Sequence, residues 1–147
     1  MTNVQILKMT IKDLELIKDS LSTDFDDFWN TSILESELNN PRSYYIVAKQ
    51  NNEILGFAGI IDTIDQFEIT NIVVKKNNRN IGIGNLLLNS LISIAKENKK
   101  EKIYLEVNEK NLPAIKLYEK NGFKKCGFRK KYYNNIDNAI LMNLQIK

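Results

Sequence analysis

One run of the chain, from Glu68 to Ala95, restricts its fold more than any other. Glu68-Ile-Thr-Asn-Ile-Val-Val74 is β-branched and apolar, as a buried strand is, while Ile83, Leu87, Leu91 and Ala95 recur at helical spacing. Between them, Lys75-Lys-Asn-Asn78 and Arg79-Asn-Ile-Gly-Ile-Gly84 turn the chain, so a strand feeds a helix through a glycine turn. With no Cβ at Gly82 or Gly84, the N–H groups of the first helical turn stand open, and together with the helix dipole they favour an anion. A phosphate is the expected ligand. A Gly-x-Gly turn is also ordinary punctuation at a helix start, so the turn does not decide the matter alone. It does exclude two nucleotide motifs: a dinucleotide fingerprint requires glycine where Leu87 stands, and a P-loop requires Lys-Ser/Thr where Asn85-Leu86 stand.

Strands and helices can be placed on either side of this unit. Val4 to Met9 alternates as a strand, and Thr10 caps a helix over Ile11 to Leu21 with Asp13 in its first turn. Ser22 to Asn30 is rich in acids and aromatics, and Thr31 is expected to cap a short helix from Ser32 to Leu38 that Pro41 closes. Ser43 to Lys49 and Glu53 to Ile61 read as strands joined by the turn Gln50-Asn51-Asn52, and Asp62 to Gln66 turns the chain into the central strand. After the central helix, Lys102 to Val107 alternates, with Ile103, Leu105 and Val107 on one face and Tyr104 and Glu106 on the other. Asn111 to Asn121 reads as a helix with Pro113 in its first turn and Gly122 as its stop, followed by a closing hairpin of Phe123 to Arg129 and Ala139 to Ile146. The order implies an α/β (α+β) domain over residues 1–147. Its mixed sheet is mostly antiparallel, with one parallel central pair formed by a right-handed crossover and helices flanking it.

Composition narrows the chemistry. The chain has 147 residues, 43% of them apolar, which is enough for one core. Its longest apolar run, Ile54 to Ile61, is too short to span a bilayer, and Met1-Thr-Asn-Val-Gln-Ile does not read as a secretory leader. A cytoplasmic protein without membrane partners is expected. There is one cysteine, Cys126, and no histidine, which excludes an internal disulfide and every Ser-His or Cys-His nucleophile and argues against a metal site. Acid–base work falls to Asp, Glu, Tyr, Lys or water. The net charge of +3 is mild and the lysines are interspersed with acids, so Lys124-Lys125 and Arg129-Lys-Lys131 read as solvated surface and no direct nucleic-acid partner is expected.

A second constellation lies further along. In the helix that opens at Asn111, positions 111, 114, 115 and 118 share a face, with Asn111 and Tyr118 about 10 Å apart along the axis. Glu106 sits at the carboxyl end of the preceding strand, where ligands of open α/β sheets usually lie. A phosphate turn, a carboxylate and a phenol are thus expected along one edge. Each also has a plain structural reading: an N-cap for Asn111, half-buried core for Tyr118, a lysine pair for Glu106.

Arg79-x-x-Gly82-x-Gly84 resembles the pyrophosphate-binding signature of the GNAT superfamily of acyl-coenzyme-A-dependent N-acetyltransferases. The resemblance extends through Asn71-Ile-Val-Val, Leu105-Glu-Val107, Asn111-x-x-Ala114-x-x-Leu117-Tyr-Glu119, Gly122-Phe123, Arg129, Tyr132-Tyr133 and Asp137-x-Ala139-x-x-Met142. These segments are similar to the ribosomal-protein-alanine N-acetyltransferase (RimI) branch, with no gap from Asn71 to Phe123, and the N-terminal third fits more loosely. The resemblance implies acetyl-CoA as co-substrate and roles for particular residues. Ile72, Val73 and Val74 would offer strand backbone to acetyl-CoA, and Arg79, Asn80, Ile81, Gly82, Ile83, Gly84 and Asn85 would cradle its pyrophosphate. Asn111 would contact the pantetheine arm, Glu106 would accept a proton and Tyr118 would donate one. Glu68 is a rival base, because many GNAT enzymes use an acid on the central strand. Lys75-Lys76 departs from the Asp-Pro usual after that strand, and the segment after Tyr133 is short.

The implied reaction is chemically coherent. Direct transfer needs a neutral amine and a proton for the departing thiolate, and an α-amine, with a pKa near 7.7 to 8.0, is easier to neutralise than a lysine near 10.4. A phenol lies within about two pKa units of a thiol and can donate to it. The expected acceptor is the N-terminal alanine of a ribosomal protein; the alternatives are a small amine or a lysine side chain, or a non-catalytic acyl-CoA-binding module. A monomer or weak homodimer is expected.

Overall fold

The computed structural model describes residues 3–25, 30–133 and 136–146, with only the backbone of Lys131, Tyr132 and Tyr133. The motif pair Tyr132-Tyr133 therefore lies outside the described side chains, and residues 26–29 of the acid- and aromatic-rich segment lie outside the description. The strands are β1 (Gln5–Lys8), β2 (Ser43–Gln50), β3 (Glu53–Asp62), β4 (Gln66–Val74), β5 (Lys102–Asn108), β6 (Lys124–Tyr133) and β7 (Asp137–Gln145). The helices are α1 (Ile11–Ile17), α2 (Thr31–Asn39), α3 (Ile83–Glu97) and α4 (Leu112–Lys120). All seven strands join one sheet in the order β1-β2-β3-β4-β5-β7-β6. Only β4 and β5 run parallel, with α3 as their crossover, and every other neighbouring pair is antiparallel.

Two apolar layers cover the sheet. On one face Leu87, Leu88 and Leu91 of α3 pack with Ile103 and Leu105 of β5, all of them 0–1% exposed. On the other, Leu14 of α1 and Leu34 of α2 pack against Val47 and Phe57. Burying one such leucine contributes about 1.5–3 kcal/mol, so a leucine-lined α3 is anchored along its whole length. No helix among the described residues is long and apolar enough to cross a membrane.

The first helix is shorter than its periodicity suggests, because α1 stops at Ile17 and a separate wide turn spans Leu21–Phe25. Its start is as expected: the carboxylate of Asp13 accepts from the Thr10 backbone N–H at 2.8 Å and is itself buried against Lys49 Nζ at 2.6 Å. Asn30, not Thr31, caps α2, with Asn30 Oδ1 accepting from the Ile33 N–H at 2.8 Å. Both residue types cap well, so composition alone does not separate them. The β2–β3 turn places Asn51 and Asn52 at φ 52° and 69°, the left-handed pair that a two-residue hairpin requires. The closing hairpin lies differently from the simplest reading, because β7 inserts between β5 and β6 and leaves β6 at the edge.

Two irregularities in β4 open the sheet near its centre. Its register with β3 steps between Gly59↔Asn71 and Ile60↔Ile69, leaving Thr70 as an extra residue, a β-bulge. Its pairing with β5 runs only from Gln66↔Lys102 to Ile69↔Leu105, after which β5 pairs with β7 alone, through Glu106↔Leu141 and Val107↔Ile140. Past Ile69 the two parallel strands therefore splay. The backbone of β4 from Asn71 to Val74 keeps its β3 partners but has none in β5.

Candidate active site

The splay opens into a cleft of about 620 Å³, within the range of small-molecule and cofactor sites. Its walls are the end of β4 (Ile72 to Val74), the turn before α3, the first turn of α3 and one face of α4. Gly82 is the N-cap of α3 at φ 96°, a conformation that costs any L side chain, and it carries no group to cap the helix. Gly84 needs no such freedom: a Cβ there would stand 3.4 Å from Leu117 Cδ2 and 3.8 Å from Val74 Cγ2, both ordinary contacts. The first-turn N–H groups thus face a wall that is kept clear, and Lys120 of α4 lines the same space with a cation. These residues fit a phosphorylated ligand whose extended arm runs beside strand backbone left without a partner on its β5 side.

Most of the expected cofactor residues are brought together. Ile72, Val73, Val74, Arg79, Asn80, Gly82, Ile83, Gly84, Asn85, Asn111 and Tyr118 all line the cleft. Ile81 does not: it is 53% exposed and stands outside the lining. Arg79 lines the cleft while its guanidinium serves the fold, donating from Nε to the Val74 carbonyl at 2.9 Å and from Nη2 to the Phe25 carbonyl at 2.7 Å. Asn111 caps α4, accepting from the Ala114 N–H at 3.3 Å, and reaches the cleft from that position. Ala114 and Leu117, which the sequence pattern offered only as motif letters, are wall residues, as are Asn78, Pro113 and Lys120. Pro113, Leu117 and Lys120 stand at i, i+4 and i+7, a helical spacing that groups them on one face of α4 and could have found them.

Tyr118 is 8% exposed and packs its ring against Phe123, with centroids 5.7 Å apart, so its plain structural role and its place in the cleft wall coexist. Glu106 does not share that wall. It lies on the opposite face of the sheet, as the alternation of β5 predicts, one residue past the last β4–β5 pair, Ile69↔Leu105. Its Oε1 accepts from Arg129 Nη2 at 2.7 Å and from the Tyr104 hydroxyl at 3.0 Å. Glu68 occupies the same face, directly across the parallel pair from Tyr104. Burial pushes the Glu68 carboxyl above its ordinary range, and repulsion from Glu106 adds to the shift while Arg129 opposes it. Burial, followed by the Glu106 carboxylate, pushes the Tyr104 phenol up to about 12.

A third group holds the bulge in place. The Tyr45 ring lies over Gly59, where a Cβ would meet it at 2.3 Å, and its hydroxyl accepts from Asn71 Nδ2 at 3.0 Å and meets Thr70 Oγ1 at 3.1 Å. Burial above all pushes this phenol up to about 12, so it stays protonated as a linker. Asn71, present in the motif without a role, therefore ties the kink of β4 to β2. Among the described residues no group of three or more His, Cys, Asp or Glu side chains could hold a metal ion.

Comparison with known proteins agrees with this geometry. The sequence model of the Acetyltransferase (GNAT) family matches residues 14–123. A putative [ribosomal protein bS18]-alanine N-acetyltransferase of Bacillus subtilis is 31% identical over 143 residues, covering 96% of this chain and 95% of that protein. The crystal structure of the ribosomal-protein-S18-alanine N-acetyltransferase from Escherichia coli superposes with a TM-score of 0.89 at 27% identity, covering 98% of this chain and 94% of that one. A GNAT family acetyltransferase from Elizabethkingia anophelis, solved with acetyl-CoA bound, superposes with a TM-score of 0.76 at 25% identity over 99% of both chains. Acetyltransferases of this family take their acetyl group from acetyl-CoA.

Proposed function

The chain belongs to the GNAT acetyltransferase family, and on that basis we propose that it transfers the acetyl group of acetyl-CoA directly to the N-terminal α-amine of an alanine-starting ribosomal protein. The observation that carries the acceptor is the similarity to the Bacillus subtilis relative, which extends over nearly the whole of both chains. The cleft is consistent with the co-substrate half of the reaction. In this reading the pyrophosphate lies on the first turn of α3 between Gly82, Gly84 and Lys120, and the acyl arm runs along the splayed backbone of Ile72 to Val74 past Asn111.

The residues divide the proton work by face. The acceptor amine approaches from the face that carries Glu68, Tyr104 and Glu106, and Glu106, directly or through a water, takes its proton. Tyr118, in the cleft wall, donates a proton to the departing thiolate. Backbone N–H groups released by the splay stabilise the oxygen of the thioester carbonyl as it becomes negative. Atoms balance without a covalent enzyme intermediate: one C–N bond forms, one C–S bond breaks, and the amine proton is matched by the proton given to sulfur.

The test is acetyl-CoA turnover against three acceptors: a peptide starting with alanine, a peptide with a blocked N-terminus and one lysine, and a polyamine. The highest kcat/KM is expected for the alanine peptide. A preference for the lysine peptide or the polyamine would replace the acceptor and leave the acetyltransferase reading in place.

A further inference from the structure

Arg129 stands on β6, two strands away from Glu106, yet its guanidinium closes on that carboxylate. Adjacent strands lie about 4.8 Å apart, so the side chain has to cover nearly twice that spacing, a reach that only the longest side chains have. The register provides the path. Arg129 pairs with Ala139 of β7, which pairs in turn with Asn108, so the arginine crosses β7 above a methyl group. Two pairs further on, and so on the same face, Leu141 separates Glu106 from Gly127, and a Cβ at Gly127 would stand 3.2 Å from Leu141 Cδ1. Small residues at positions 139 and 127 thus keep a lane open across the strand.

At the far end of that lane two donors meet a single oxygen. Arg129 Nη2 and the Tyr104 hydroxyl both contact Glu106 Oε1, at 2.7 and 3.0 Å, and among the described residues no bond is recorded to Oε2. The last torsion of a glutamate is broad and nearly two-fold, so a lone carboxylate has no preferred oxygen to present. Two donors on one oxygen remove that symmetry. The Glu106 side chain is 14% exposed and Arg129 is 53% exposed, so the pair joins a sheltered carboxylate to a solvated edge-strand cation. Such a half-exposed pair contributes little to stability, about 0–1 kcal/mol at most, so the fold does not depend on it.

We propose that Arg129, with Tyr104, is a positioning residue for acetyl transfer: it fixes Glu106 through Oε1 so that Oε2 is the atom presented to the acceptor amine or its bridging water. The Arg129 cation also opposes the repulsion that Glu106 exerts on the like-charged Glu68 of the same face. The inference rests on the reading of Glu106 as proton acceptor. Orientation errors of about 1 Å at a reacting group can cost about a hundredfold in rate, which sets the size of the effect.

The experiment is steady-state kinetics with acetyl-CoA and an alanine-starting peptide for Arg129→Gln, Arg129→Lys, Tyr104→Phe, Glu106→Gln and the double variant Arg129→Gln/Glu106→Gln, with melting temperatures alongside. Arg129→Gln is expected to lower kcat about ten- to a hundredfold while KM for acetyl-CoA and the melting temperature stay close to wild type. Arg129→Lys, which keeps the charge and loses the fork, falls between the two, and Tyr104→Phe shows a smaller loss of the same kind. The double variant is no slower than Glu106→Gln, because a positioning residue has nothing left to position. Wild-type kcat in Arg129→Gln beside an inactive Glu106→Gln overturns the inference and leaves the base assignment intact. A further loss in the double variant overturns it too, by showing that Arg129 acts elsewhere. An active Glu106→Gln removes the base assignment itself, and the inference with it.

Discussion

Gly84 offers the sharpest separation of binding from folding. Adding a methyl there meets only Leu117 Cδ2 at 3.4 Å and Val74 Cγ2 at 3.8 Å, and the residue is not among those held at positive φ. Gly84→Ala should therefore stabilise the free protein by about 0.4–1 kcal/mol through reduced freedom of the unfolded chain, raising the melting temperature by roughly 1–4 °C. The same methyl projects from the first turn of α3 into the wall that a pyrophosphate must approach. Losing even one charge-assisted N–H contact costs about 1.5–3 kcal/mol, so the dissociation constant for acetyl-CoA should rise about ten- to a hundredfold. Gly82→Ala gives the control of opposite sign, because φ 96° penalises an L side chain by about 1–2 kcal/mol and the melting temperature should fall. Titration calorimetry and thermal denaturation of the two variants read both quantities. Unchanged affinity in a stable Gly84→Ala variant would refute the phosphate turn, and a destabilised one would refute the steric argument.

Tyr118→Phe keeps the packing on Phe123 and removes only the hydroxyl, so kcat should fall about ten- to ten-thousandfold with acetyl-CoA affinity nearly unchanged; a variant at wild-type kcat would make water the donor. Glu68→Gln should leave most of kcat/KM intact where Glu106→Gln does not, and the reverse ranking would move the base to Glu68. The same substitution tests the raised Glu68 carboxyl: stability linked to a raised acid is full below the unfolded value, near 4.3, and is lost as pH rises through the folded value. Glu68→Gln should thus melt higher than wild type at pH 8 and no differently at pH 4, and equal melting at both would show that the burial carries no cost. Lys100 Nζ grips Asp62 Oδ1 at 2.7 Å and the Ile64 carbonyl at 2.6 Å, clasping the β3–β4 turn and holding the Asp62 carboxyl below its ordinary range. Asp62→Asn should cost at most about 1 kcal/mol at pH 7, given the solvent around that pair, and the difference should fade as the pH drops below about 4.

How far the site can be read from the chain depends on whether a residue acts through local geometry or through register. Gly82 and Asn111 are caps, and a cap is set by its own few residues, so both were placed correctly from the sequence. The faces of β5 were equally legible, because Ile103, Leu105 and Val107 alternate without interruption and Glu106 falls on the far side. Arg129 illustrates the opposite case. Its partner lies two strands away, across a strand that comes later in the chain than either, and no spacing in the sequence encodes the order β5-β7-β6.

The central strand shows why even a clean alternation can mislead. Continued from Phe67 and Ile69, which face α3, a period of two would send Asn71 and Val73 to that same face and Ile72 and Val74 to the other. Thr70 is the extra residue that reverses this. Past it, Asn71 donates to Tyr45 and Val73 joins the layer under α1 and α2, while Ile72 and Val74 turn towards α3 and line the cleft. The bulge therefore does two things with one residue. It hands the cleft wall to the two side chains that would otherwise have lain on the opposite face of the sheet, and it bends β4 at the point where its pairing with β5 ends. Tyr45 holds that bend through Thr70 and Asn71, with Gly59 leaving room for its ring, so Tyr45→Phe should loosen the splay itself and lower acetyl-CoA affinity from a position outside the cleft. An unchanged dissociation constant in that variant, measured by calorimetry, would mean that strand pairing alone maintains the opening.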